Sequence, residues 1–187
     1  MKLNSQTGFQ SRREQIAAQH RRARIRNLWM AFGGILLLLA IFLLIFRSSP
    51  VQSVRPPQVG SKLGDFSLQS ITGETIRLSD YEGRPVLINT WAIWCPPCKA
   101  EMPLLNEYYQ AHAAEGFVIL AINAGDTQAE AAGFASQNSL QFPILLDPGT
   151  QLLDQMAIHS FPTSILIGRD GLVKAIHIGF LTQESLE

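Results

Sequence analysis

Asn89-Thr90-Trp91-Ala92-Ile93-Trp94-Cys95-Pro96-Pro97-Cys98-Lys99-Ala100-Glu101-Met102-Pro103 contains both cysteines of the 187-residue chain and the transition on which its fold turns. Upstream, residues 85–91 (PVLINTW) form a nearly continuous apolar, β-favouring run, the pattern of a strand buried on both faces. Downstream, Met102, Leu105, Tyr108 and Tyr109 recur at helical spacing to about Ala113. Pro96-Pro97 ends the extended segment, and proline's fixed φ suits a first helical turn, so a helix is predicted to begin around Cys95. Pro103 cannot donate to the Lys99 carbonyl and is expected to bend that helix. Spacing of three brings the two sulfurs to one end and one side of it, close enough to close a small disulfide ring. Unpaired amides and the helix dipole favour an anion at a helix start, which lowers a thiol's pKa. Cys95 is therefore the expected nucleophile and Cys98, one turn deeper, the resolving thiol. The only cofactor expected is this redox-active pair.

Outward from this stretch, residues 65–68 and 75–78 alternate in polarity around Thr72-Gly73 and predict a hairpin, followed by a turn at 79–83. Residues 117–123 (FVILAIN) predict a second buried strand, joined to the first by the helix in a right-handed β-α-β crossover. Thr127 is the expected N-cap of a helix reaching Asn138, residues 142–146 a short strand, and 149–156 another helix. Two late strands, 164–167 and 172–178, flank Arg169-Asp170-Gly171, whose Asp-Gly pair signals a hairpin. Thr182 would cap a last helix, which is very short unless the chain continues beyond the sequence given.

The chain carries 15 basic and 15 acidic residues, a balance with no nucleic-acid footprint. The average hides a basic first segment: residues 1–27 hold Lys2, Arg12, Arg13, Arg21, Arg22, Arg24 and Arg26 against Glu14. Residues 28–46 (LWMAFGGILLLLAIFLLIF) then run without a charge, and at about 1.5 Å per residue they span roughly the 30 Å hydrocarbon core. A cleaved signal peptide and an uncleaved anchor both fit a basic stretch followed by an apolar run. The long basic region, the length of the run and the lack of a small-x-small pattern in Arg47-Ser48-Ser49-Pro50 favour the anchor. The expected organisation is a cytoplasmic tail over 1–27, a transmembrane helix over 28–46, an extended Ser/Pro-rich linker over 47–58, and a redox domain over 59–187 on the extracytoplasmic side.

Taken together, the cysteine stretch, Phe161-Pro162-Thr163 and the Arg169-Asp170-Gly171 hairpin resemble the thioredoxin superfamily, and more closely its membrane-anchored TlpA/ResA-like thiol-disulfide oxidoreductases. The resemblance implies an α/β thioredoxin-like fold, a mixed central sheet flanked by helices, behind the N-terminal transmembrane helix. It implies that Pro162 is cis and packs opposite the cysteines, with the Phe161 backbone bonding an extended substrate segment. Trp94, beside Cys95, reads equally as a shield or substrate contact and as an ordinary packing residue, and Pro96 and Pro97 join the expected substrate surface. Glu101 matches an acidic residue thought to tune the thiols or move a proton; read from the residues alone, it is equally an exposed helical glutamate. Asn89 stands where thioredoxin has a buried aspartate and cannot titrate. Gly64 and Ser160 depart from the family's usual proline and glycine. The implied partners are protein disulfide or dithiol substrates, including apocytochrome c haem-site cysteines, and a membrane electron donor that recycles the enzyme, with no nucleic acid. The residues themselves bear on direction: Pro96 removes one backbone N–H that could have stabilised the Cys95 thiolate, which points toward a reductant.

Two other readings compete for these residues. A thiol peroxidase needs Thr or Ser three residues before its cysteine and a Pro further back, where this chain has Ala92 and Ile88. A copper(I) module would use Cys95 and Cys98 as soft ligands. Zinc lacks a second ligand pair, because His20, His112, His159 and His177 show no ligand spacing, so no metal site is expected. A purely structural disulfide is disfavoured, since so small a ring removes little unfolded-state entropy.

Overall fold

The computed structural model describes residues 54–186. The expected tail over 1–27, the membrane span over 28–46 and the start of the linker lie outside these residues. Among the described residues no helix is long and apolar enough to cross a membrane.

In chain order the elements are β1 (Ser67–Ser70), β2 (Thr75–Arg77), a 3-10 turn (Leu78–Tyr81), β3 (Val86–Trp91), α1 (Pro96–His112), a second 3-10 turn (Ala113–Glu115), β4 (Val118–Ala124), α2 (Gln128–Gln137), β5 (Ile144–Asp147), α3 (Gln151–Gln155), β6 (Thr163–Ile167), β7 (Val173–Ile178) and α4 (Gln183–Leu186). The strands form one sheet in the order β2-β1-β5-β4-β3-β6-β7. β3, β4 and β5 are mutually parallel, and the outer pairings are antiparallel, which makes this the mixed sheet of a thioredoxin-like fold. Within the described residues every expected strand and helix is present, with the first hairpin strand and β5 each displaced by one or two residues toward the C-terminus of the predicted range.

The two strands that read as continuous apolar runs occupy the centre, and every residue of β3 and β4 is buried. Full burial of an Ile, Leu or Val side chain contributes roughly 1.5–3 kcal/mol, so this pair is a firm floor for the segment that leaves β3. That segment is Ala92 to Cys95, leading into α1, and the cysteines thus stand at the C-terminal edge of the parallel strands. α2 begins with a reciprocal capping box, in which Thr127 Oγ1 accepts from the Glu130 N–H and the Glu130 carboxylate accepts from Thr127 N–H at 2.9 Å. At the β6–β7 turn Gly171 takes φ +76°, a conformation that favours glycine. Packing against the domain reaches back to Val54, which is buried and donates its N–H to Gln155 Oε1 at 3.3 Å.

Candidate active site

Cys95 is the N-cap of α1, with extended backbone, and prolines occupy the first two helical positions. Neither proline has an N–H, so the first amide the turn can offer is that of Cys98, and it donates to Cys95 Sγ at 3.3 Å. Cys95 and Cys98 are joined in a disulfide with Cα atoms 5.3 Å apart. Cys95 retains 3% exposure and Cys98 none. An incoming sulfur therefore meets Cys95 first. Pro96 and Pro97 are exposed beside it.

Glu101, one turn beyond Cys98, is fully buried. Its Oε1 accepts from Asn89 Nδ2 at 2.8 Å and its Oε2 from the Leu181 N–H at 2.8 Å. The reading of Glu101 as an exposed helical residue is thus set aside. Burial pushes its carboxyl above the ordinary 4.5, opposed by the hydrogen bonds from Leu181 and Asn89 and by the field of His177. Sheet register explains how these groups meet: Asn89 on β3 lies opposite Ser164 on β6, which lies opposite His177 on β7. These three residues form a polar row across the sheet, and Asn89 Nδ2 also donates to Ser164 Oγ at 3.0 Å.

The Phe161-Pro162 peptide is cis, and Pro162 is buried. Its position follows from the pairing of Thr90 with Thr163, which brings the residue before β6 to the cysteine end of the sheet. Trp94 is 64% exposed, and its ring meets Phe161 edge-on at 5.5 Å. Trp91, in contrast, is wholly buried and packs on Phe134 at 5.1 Å. The structure thus gathers Trp94, Cys95, Pro96, Pro97, Cys98, Phe161 and Pro162 at one end of the sheet, with Glu101 in the core below. His159 is 70% exposed with Asp154 3.7 Å away, and it takes no part in the network around Glu101. Among the described residues no cluster of three or more His, Cys, Asp or Glu could hold a metal ion.

Four contributors escaped the sequence reading. Asp126 Oδ2 accepts from the Ile93 N–H at 2.8 Å and from Asn123 Nδ2 at 2.8 Å, which fastens the loop ahead of Cys95 to the end of β4. Ser164 and Leu181 complete the surroundings of Glu101, and Gly179 donates its N–H to the Pro162 carbonyl at 2.8 Å. A polar residue within an apolar strand run, such as Asn89 or Ser164, was the available signal. Asp126 and Leu181 carry none, because each acts across a loop through a backbone amide.

Comparison with known proteins agrees with this geometry. Residues 59–176 match the AhpC/TSA family. The thiol-disulfide oxidoreductase ResA of Geobacillus kaustophilus (strain HTA426) is 41% identical over 129 residues, which cover 69% of this chain and 74% of that one. ResA of Bacillus anthracis is 36% identical over 130 residues, covering 70% and 75%. Among solved structures, StoA from Bacillus subtilis superposes with a TM-score of 0.57 at 32% identity, covering 66% of this chain and 93% of that one. A putative thiol:disulfide interchange protein DsbE from Chlorobium tepidum gives a TM-score of 0.64 at 33% identity, covering 69% and 91%.

Proposed function

From the premise that this chain belongs to the AhpC/TSA family and is a ResA-like thiol-disulfide oxidoreductase, we propose that it reduces disulfides of partner proteins outside the cytoplasm, tethered by its N-terminal segment. The observation that carries the chemistry is the asymmetry of the pair: Cys95 caps the helix and keeps slight exposure, while Cys98 lies buried behind it. In the reduced enzyme the Cys95 thiolate, stabilised by the Cys98 N–H, attacks one sulfur of a substrate disulfide. A mixed disulfide forms and the substrate's other sulfur leaves as a thiolate. Cys98 then loses its proton and attacks Cys95 Sγ, which releases the substrate's second thiolate and closes the Cys95–Cys98 disulfide. Two electrons have passed to the substrate. Glu101, on the same helical face as Cys98, is the group that takes the Cys98 proton, and burial suits it to that role by raising its affinity for one. Trp94, Pro96, Pro97 and Phe161 receive the substrate chain beside Pro162.

The charge-free run over 28–46 behind a basic tail supports the anchor and the extracytoplasmic placement. Recycling calls for a membrane dithiol donor, and haem-site cysteines of apocytochrome c are substrates of the right chemistry. Two prolines at the helix start leave Cys95 a single nearby amide, which limits thiolate stabilisation and favours a reductant. No further cofactor enters the scheme. Cys98→Ser is expected to accumulate mixed disulfides visible on non-reducing gels, and Cys95→Ser to lose exchange altogether. Full activity in Cys95→Ser would sink the assignment.

A further inference from the structure

We propose that Asn89 is a positioning residue whose amide turns over with the charge of Glu101, Nδ2 facing the ionised carboxylate and Oδ1 the protonated carboxyl. The inference rests on the reading of Glu101 as the proton partner of the thiol pair. In the structure the amide stands in the first arrangement, with one Nδ2 hydrogen toward Glu101 Oε1 at 2.8 Å and the other toward Ser164 Oγ at 3.0 Å. Asn89 is fully buried, and among the described residues its Oδ1 has no hydrogen-bond partner. Buried carbonyl oxygens are seldom left in this condition.

The groups that bond Glu101 explain what the orphan oxygen is for. Asn89 Nδ2 and the Leu181 N–H are both donors, so they suit a carboxylate and offer a carboxylic acid nothing to donate to. A proton taken from Cys98 and placed on Oε1 would lack an acceptor. A half-turn of the Asn89 amide supplies one at almost no change in shape, because its O and N differ little in size; the NH2 then takes the place where Oδ1 has no partner, so the turned arrangement is the less stable one and forms only when the proton is on Glu101. Oδ1 would then accept from the Glu101 O–H and from the Ser164 O–H. Ser164 serves both arrangements, since its hydroxyl accepts in one and donates in the other. An aspartate at 89 would be charged beside a charged partner, and an apolar residue would serve neither state.

The titratable groups around Glu101 are Cys98, one turn back on its own helix, and His177 from β7; Asn89 from β3, Ser164 from β6 and the Leu181 amide complete the surround. In the oxidised protein the cysteines do not titrate, and His177 can be followed by its ring signals. The test is an NMR titration of the oxidised full chain in detergent micelles, recording Glu101 Cδ, the Asn89 side-chain NH2 and the His177 ring together. The Asn89 NH2 protons are expected to shift with the Glu101 midpoint and to lose their nuclear Overhauser contacts to Ser164 as the carboxyl takes up its proton. Asn89→Leu should raise the Glu101 midpoint by about one pH unit, tenfold in its acid constant, because the carboxylate loses the stronger, charge-assisted bond. A merely structural asparagine would alter stability and leave that midpoint in place. Asn89 NH2 protons that keep their contacts to Ser164 while Glu101 titrates overturn the proposal, and this wild-type result needs no variant to fold. A midpoint unmoved in Asn89→Leu overturns it as well. If Glu101→Gln left the pH profile of thiol exchange unchanged, the catalytic reading of Glu101 would fall separately, with the amide's behaviour still decided by the titration.

Discussion

Replacing Glu101 with Gln in the oxidised chain should change not only the stability but its dependence on pH. The carboxylate accepts from two donors, Asn89 Nδ2 and the Leu181 N–H. A glutamine can keep its carbonyl on the Leu181 N–H and offer its NH2 to Asn89, whose amide must turn to accept it and leave its own NH2 without an acceptor, at a cost of about 1–3 kcal/mol. Against this, the amide removes the need to bury a charge, and the balance shifts with pH. Burial holds the Glu101 carboxyl above 4.5 in the folded chain. Between that value, where the unfolded carboxyl releases its proton, and the higher folded midpoint, the folded chain binds more protons than the unfolded one. Stability must therefore fall as pH rises through this window, by at most about 1.4 kcal/mol per pH unit. Below the window both states are protonated and the contribution is fully present; above the folded midpoint it has been lost and the curve is flat. Glutamine has no such proton. The stability of the natural chain minus that of Glu101→Gln should thus be largest at low pH, decline upward from about 4.5, and level off. Asp147, whose carboxyl is also raised by burial, adds a similar slope, but it is common to both proteins and cancels. Urea unfolding followed by tryptophan emission at fixed pH values measures the difference. A difference that is flat, or that grows with pH, would refute the argument from burial.

Two further substitutions separate scaffolding from substrate contact. Asp126→Ala leaves the Ile93 N–H without its acceptor and should cost about 1–3 kcal/mol, with faster hydrogen exchange at that amide and slower thiol exchange at Cys95. Unchanged exchange at Ile93 would show that Asp126 does not hold the loop. Trp94→Ala removes a side chain that is 64% exposed, so the unfolding free energy should move by less than about 0.5 kcal/mol while KM for a protein disulfide rises. An unaltered KM would take Trp94 out of the substrate surface.

The parts of the fold that were legible in the sequence are those set by short-range pattern. β3 and β4 were visible as apolar runs, the start of α1 as Pro-Pro, the cap of α2 as Thr127, and the last hairpin as Asp-Gly, because burial period, proline geometry and turn chemistry act within a few residues. The cysteine pair and its place at the helix start were legible for the same reason. The cis peptide at Pro162 was available only through family resemblance, since nothing in the local residues distinguishes it from an ordinary turn proline. The setting of Glu101 was beyond reach. Its partners Asn89 and Leu181, and Ser164 that bonds Asn89, lie on a strand before it, the segment following the last strand, and a strand far after it, and a glutamate in a helix with polar neighbours reads as a surface residue. Only the sheet register, which stacks Asn89, Ser164 and His177 in one row, makes that carboxyl buried and paired.

The central claim, a disulfide exchanger poised to reduce, is tested most directly by the reduction potential of the Cys95–Cys98 couple, read by equilibrating the full chain against defined glutathione buffers. The account predicts a potential more negative than about −260 mV, below the glutathione poise of about −220 to −260 mV. A value near about −120 mV, that of the strongly oxidising thiol enzymes, would contradict it.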